Sequence, residues 1–140
     1  ATSWKIEKGM LVLLGGNVNL YTQEEFDDFI VRFEFRPVKK GYNSGFFLRG
    51  GNQINLAQKD AGRLMPSKAT KAVPELHKEP GQWNEWEVTC SGPKGALRVN
   101  GKPAWEISDF KPVKGTLGLQ AEGQAIDFRN LRIKKIRKEK

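Results

Sequence analysis

The chain has 140 residues, 38% hydrophobic and 29% charged, with a formal net charge of +8. That length suits one domain, since two of about 70 residues would each have a marginal core. The longest apolar run, Met10 to Leu14, is far short of the ~20 residues a membrane-spanning helix needs, and eight Phe, four Trp and two Tyr are too many aromatics for a disordered chain.

Taken in chain order, Trp4–Glu7 and Met10–Leu14 are short strand candidates. Thr22-Gln23-Glu24-Glu25 has the spacing of a capping box and predicts one short helical turn ahead of Phe26. In Phe29–Arg36 the odd positions are large and apolar and the even ones mostly charged, the signature of a half-buried strand. Phe46–Arg49 and Gln53–Leu56 follow as weaker strands. The segment 57–82 breaks the pattern, with Pro66, Pro74 and Pro80 and no alternation. A loop of that length in a small domain is usually functional or mobile. Alternation returns in Glu85–Cys90 and in Leu97–Asn100, and Asn100-Gly101 predicts a type I′ hairpin into Lys102–Trp105. Leu117–Leu119 and Ile126–Ile133 complete ten candidate strands.

Residues 132–140 carry six basic side chains and one acid, so most of the excess charge lies in a C-terminal stretch, with 137–140 read as a basic tail. A nucleic-acid-binding surface interleaves aromatics with its cations. This stretch has no aromatic, so nucleic acid is not the expected partner, and an anionic surface is the partner the tail would take. The single cysteine, Cys90, cannot form an intrachain disulfide and alternates with polar residues as a small buried hydrophobe would. Many short strands joined by Gly- and Asn-rich turns predict an all-β fold, a two-sheet antiparallel jelly-roll sandwich over residues 1–136 with the long loop 57–82 at one end. An immunoglobulin-like sandwich is the weaker alternative, because no cysteine pair frames a core tryptophan.

The residues that could carry chemistry are few. One histidine, His77, sits in the long loop, and no serine sits on a nucleophile elbow. One His and one Cys do not make a zinc site. The acidic group Glu24, Glu25, Asp27 and Asp28 reads as a charged turn rather than a calcium site. No metal and no cofactor is expected. Glu85 and Glu87 flank Trp86, and residues two apart on a strand share a face with Cα atoms roughly 6.5–7 Å apart. They are therefore candidates for the two carboxylates of glycoside cleavage. Trp83 could stack on a sugar ring. Asn43, Arg49, Gln53 and Asn55 offer amides and a guanidinium suited to hydroxyls, and if Leu48 and Ile54 face the core, Arg49, Gln53 and Asn55 emerge together on the opposite face.

The same segments resemble a known family. Phe26-Asp27-Asp28-Phe29, Phe33-Glu34-Phe35-Arg36 and Asn43-Ser44-Gly45-Phe46-Phe47-Leu48-Arg49 are similar to the first half of the 3-keto-disaccharide hydrolases. Pro80-Gly81-Gln82-Trp83-Asn84-Glu85-Trp86-Glu87-Val88 with Val99-Asn100-Gly101-Lys102 resembles their middle, and Gly118-Leu119-Gln120 with Phe128–Ile133 their closing strands. The resemblance implies a concanavalin A-like jelly roll with a concave carbohydrate-facing sheet. It also implies a bacterial protein, periplasmic or secreted, that acts on glycosides such as 3-keto-disaccharides by hydrolysis or elimination-type cleavage. Gly51 stands where many relatives carry a glutamate, and the strand with a Phe-Asp/Asn-Gly motif that often opens family members is missing. The expectation is a carbohydrate ligand held by Asn43, Arg49, Gln53, Asn55 and Trp83, with His77, Glu85 and Glu87 as candidate acids or bases. His77 would take a proton beside a 3-keto group, where the carbonyl acidifies the C–H. The alternative is a non-catalytic carbohydrate-binding module.

Overall fold

The computed structural model describes residues 3–136, so the expected tail at 137–140 lies outside the described residues. Its twelve strands are β1 (Trp4–Glu7), β2 (Met10–Leu13), β3 (Leu20–Phe26), β4 (Phe29–Pro37), β5 (Gly45–Leu48) and β6 (Asn52–Asn55), followed by β7 (Leu64–Met65), β8 (Asn84–Ser91), β9 (Lys94–Val99), β10 (Lys102–Ile107), β11 (Gly115–Leu119) and β12 (Ile126–Lys135). They form two antiparallel sheets. One has seven strands in the order β1-β2-β12-β4-β8-β9-β10; the other has five, in the order β3-β11-β5-β6-β7. The fold is the all-β jelly-roll sandwich expected from the patterning. Among the described residues, no helix is long and apolar enough to cross a membrane.

The strongest alternation builds the centre of the larger sheet. Phe29, Val31, Phe33 and Phe35 of β4 are all buried, and β8 answers in register with Val31 opposite Val88 and Phe33 opposite Trp86. Phe33 is the hub. Its ring centroid lies 5.7 Å from Trp86 and 6.1 Å from Phe128 within its own sheet, and 5.5 Å from Phe46 across the sandwich. Aromatic side chains packed this way supply much of a small core's stability, about 3–5 kcal/mol lost on truncation to alanine. Asn100 and Gly101 take φ of 51° and 80° in the two-residue turn from β9 to β10, which satisfies the predicted I′ geometry.

The structure differs from the sequence expectation in three places. Thr22–Glu25 is not a helical turn but the middle of β3. The Thr22 hydroxyl donates to the Glu24 carbonyl at 2.7 Å and accepts the Leu117 amide at 3.0 Å, so it ties β3 to β11 instead of capping a helix. The register slips between Tyr21 and Glu25, where β3 bulges against Thr116–Gly118. The only helical turn among the described residues is a 3-10 turn at Pro74–Leu76, inside the long loop. That loop is well tied down: Val73 N bonds Ala61 O at 2.7 Å, Leu64 N bonds the Thr70 hydroxyl at 2.9 Å, and the Trp105 indole donates to Gly62 O at 2.6 Å. Finally, much of the expected basic stretch is strand. β12 runs to Lys135, where Arg132 faces Glu85 and Lys135 pairs with Glu24.

Candidate functional site

In the five-stranded sheet, Phe46, Leu48, Ile54, Leu117 and Leu119 point inward and are buried. Alternation therefore sends Phe47, Gln53, Asn55 and Gly118 outward. The register aligns one row across all five strands on this outer face: Tyr21, Gly118, Phe47, Gln53 and Met65. Glycine at 118 is what makes the row flat. A Cβ there would lie 2.6 Å from the Tyr21 ring, so only a residue without one lets Tyr21 lie across β11 and stack on Phe47, with centroids 5.5 Å apart and planes 28° apart. Gly45 does the same for Gln53, whose amide occupies the space a side chain on Gly45 would need.

Polar groups extend the row. Gln53 Nε2 donates to Gln120 Oε1 at 2.7 Å, and Gln120 Nε2 donates to Glu122 Oε1 at 2.8 Å. Each amide uses one donor in this chain, and a primary amide has a second N–H and acceptor lone pairs besides. Asn55 Nδ2 donates to Asp60 Oδ2 at 2.5 Å, and Asp60 Oδ1 holds Arg63 at 2.9 Å. Tyr21 is 56% exposed and Met65 41% exposed, so the row is open to solvent.

The residues singled out from sequence do not form one cluster. Gln53 and Asn55 lie together on this face. Arg49 does not join them, because β5 ends at Leu48 and Arg49 takes a φ of 46°, which swings its side chain into the end of the sandwich. It is 1% exposed there, and its guanidinium donates to the carbonyls of Asp27 (2.7 Å), Gly92 (2.7 Å) and Lys111 (3.2 Å) and to Asp28 Oδ1 (3.2 Å). Its role is to tie three loops together. Asn43 is exposed on the loop before β5.

Trp83, Glu85 and Glu87 belong to the other sheet's outer face, since Asn84, Trp86 and Val88 between and beyond them are buried. Trp83 is covered by cations, with the Arg129 guanidinium 3.7 Å and that of Arg36 4.6 Å from its ring centroid. Glu87 pairs with Arg32 at 2.7 Å and Glu85 with Arg132 at 3.8 Å. Their neighbour Glu34 takes hydrogen bonds from Asn130 and Arg129, which together outweigh desolvation and hold its carboxyl below the usual range.

His77 is on neither outer face. Its ring packs against Phe35 and Trp86, 6.1 and 6.0 Å between centroids. The Trp86 indole N–H can only donate, so His77 Nε2 accepts it at 2.9 Å and Nδ1 carries the proton that goes to the Val73 carbonyl at 2.9 Å. Burial pushes the imidazole below its ordinary pKa. Both nitrogens are spent on pinning the long loop to the core, so the three expected acid–base residues do not converge. Among the described residues, no group of three or more His, Cys, Asp or Glu side chains is placed to hold a metal.

Tyr21, Phe47, Gln120 and Glu122 were not singled out from sequence. The available signal was Gly118 inside an alternating strand, which marks a place where a neighbouring group approaches closely.

Comparison with curated protein sequences gives no match. Solved structures share the fold. A candidate glycosyl hydrolase from Parabacteroides distasonis ATCC 8503 superposes with a TM-score of 0.79 at 21% identity, over 95% of this chain and 90% of that one. The carbohydrate-binding module CBM66 from Bacillus subtilis gives 0.74 at 11% identity, over 94% and 91%. The carbohydrate recognition domain of Emp47p gives 0.68 at 15% identity, over 96% and 86%. At these identities the likeness is one of fold. The sequence itself matches a family model over residues 1–134, and on that basis the chain belongs to the 3-keto-alpha-glucoside-1,2-lyase-like domain family.

Proposed function

We propose that this domain binds carbohydrate on the outer face of the five-stranded sheet. The observation that carries the reading is the in-register row Tyr21, Gly118, Phe47, Gln53 and Met65, in which a flat aromatic pair sits beside a hydrogen-bonded amide chain. An aromatic face complements the C–H side of a pyranose, and amides supply both donors and acceptors to its hydroxyls. Fold likeness to a carbohydrate-binding module and a carbohydrate recognition domain supports the same reading.

Calorimetry against a glycan panel tests it. Tyr21→Ala or Gln53→Ala should weaken the ligand found by roughly tenfold or more, about 1.4 kcal/mol, while Trp83→Ala leaves affinity unchanged. Loss of binding in Trp83→Ala with full binding in Tyr21→Ala would move the ligand to the other sheet and end the proposal.

Family membership favours a second reading, cleavage of a 3-keto glycoside at this face. Two carboxylates hydrogen-bonded to amides of this face are then the acid–base candidates: Asp60, held by Asn55, and Glu122, held by Gln120. Release of aglycone from 3-keto glycosides that Asp60→Asn or Glu122→Gln abolishes, and that His77→Ala leaves in place, is its expected result. No release by the unaltered protein refutes it.

A further inference from the structure

The two sheets part along one side of the sandwich. The five-stranded sheet ends at β3, whereas the seven-stranded sheet continues past β12 to β2 and β1. Between them runs a crevice of about 240 Å³, lined by Leu11, Leu20, Val31, Leu117, Leu131 and Ile133. Ile133 pairs with Val31, whose side chain is core, so it faces the interior; yet it remains 41% exposed, and Leu131 in the adjoining bulge remains 44% exposed. Those two side chains leave the aliphatic walls of the crevice open to solvent. Leaving such walls in water forgoes burial, so an apolar occupant is favoured.

Position and charge narrow the occupant. Tyr21 belongs to both places: its ring lies on the outer face across Gly118, and it also lines the crevice. A ligand with its sugar on the outer face need only cross the edge strand β3 to enter. Two residues beyond Ile133 and Thr22 on their strands, the ion pair of Lys135 with Glu24 bridges β12 and β3. That pair is internally neutralised, so nothing there calls for a charged head group.

We infer that the crevice holds the uncharged apolar aglycone of a glycoside whose sugar occupies the outer face of the five-stranded sheet. The inference rests on the proposed sugar site and adds a substrate class to it: alkyl or aryl glycosides rather than simple sugars.

The test is calorimetric titration with n-alkyl β-D-glucopyranosides from methyl to hexyl, below their micellar thresholds. Affinity should rise about fourfold with each added methylene until the crevice is filled. Leu131→Asp and Ile133→Asp should abolish that rise while keeping the wild-type melting curve, since both positions are already partly exposed; Leu131→Ser serves if an aspartate variant does not fold. Gln53→Ala should lower affinity for every member of the series equally and leave the rise intact. A flat series, or a rise that survives both aspartate variants, overturns the proposal. Octan-1-ol provides the separate control. If it binds as tightly as n-octyl β-D-glucopyranoside, the assignment to a glycoside fails and the sugar site fails with it, whereas a flat series with measurable methyl glucoside binding removes the crevice alone.

Discussion

Replacing Arg49 by alanine separates a structural role from a ligand-binding one. The guanidinium is 1% exposed, pairs with the 4% exposed Asp28, and donates to three loop carbonyls. It also lies 5.0 Å from the Phe110 ring centroid. Removing one partner of a buried pair costs about 3–5 kcal/mol, because the remaining charge stays buried. The orphaned carbonyls push the cost toward the upper end. Against a total stability of ~5–15 kcal/mol, Arg49→Ala should lower Tm by roughly 10–20 °C. Urea unfolding followed by tryptophan fluorescence reads this directly, since Trp86 is fully buried. Arg49→Lys keeps the charge but cannot reach the same acceptors with a single ammonium, so it should fall between. Carbohydrate affinity of the folded Arg49→Ala protein should be unchanged. A stability loss under about 1 kcal/mol, together with lost carbohydrate binding, would refute the structural reading and return Arg49 to the ligand.

Three further outcomes follow from the same contacts. His77 is the only histidine, and burial holds its folded pKa below the unfolded value near 6.5. The unfolded chain therefore takes up the proton first as pH falls; stability is full above about pH 6.5 and declines below it until the folded pKa is passed. His77→Gln should flatten that decline, and a wild-type protein equally stable at pH 7 and pH 5.5 would contradict it. Burial pushes the Cys90 thiol up to about 12, so it should resist a thiol reagent at pH 8 until the protein unfolds. Modification at the native-state encounter rate would show that the core is open there. Gly45→Ala should displace the flexible Gln53 amide from Gln120, lowering carbohydrate affinity while shifting stability by less than about 1 kcal/mol. Unchanged affinity would remove Gln53 from the site.

The fold was legible wherever one side of a strand is oily and the other wet. All ten strands expected from patterning are present, because Phe29–Pro37 or Asn84–Ser91 can satisfy their alternation in no other way. The two that were missed lack the signal. β7 has only two residues, too few to alternate, and β3 is polar through Gln23, Glu24 and Glu25, with a bulge that breaks its period. The site followed the same logic. Gln53 and Asn55 were placed correctly on one face because the buried Ile54 lies between them. Arg49 was misplaced because alternation was carried one residue past the end of β5, through a positive φ that reverses the chain. Phe47 was hidden by its neighbour: in Phe46-Phe47 both residues are apolar, and only pairing with Gln53 and Gly118 shows which of them faces water.

The two outer faces differ in a way that bears on where an uncharged ligand can settle. Across β12, β4 and β8 the polar side chains answer one another: Arg36 with Asp127, Arg129 with Glu34, Arg132 with Glu85, Arg32 with Glu87. Even the aromatic ring on that face, Trp83, is capped by two guanidinium groups. Exposed pairs of this kind are each worth only about 0–1 kcal/mol, but a neutral sugar laid over them would have to desolvate eight charged groups and could offer none of them a better partner. The row Tyr21, Gly118, Phe47, Gln53 and Met65 contains no charge at all. Covering it strips water from two rings, the Tyr21 hydroxyl, a thioether and an amide, and the hydroxyl and amide regain hydrogen bonds from the sugar. The lower desolvation cost places the proposed ligand on the five-stranded sheet, which is also the sheet whose edge strand opens onto the apolar crevice.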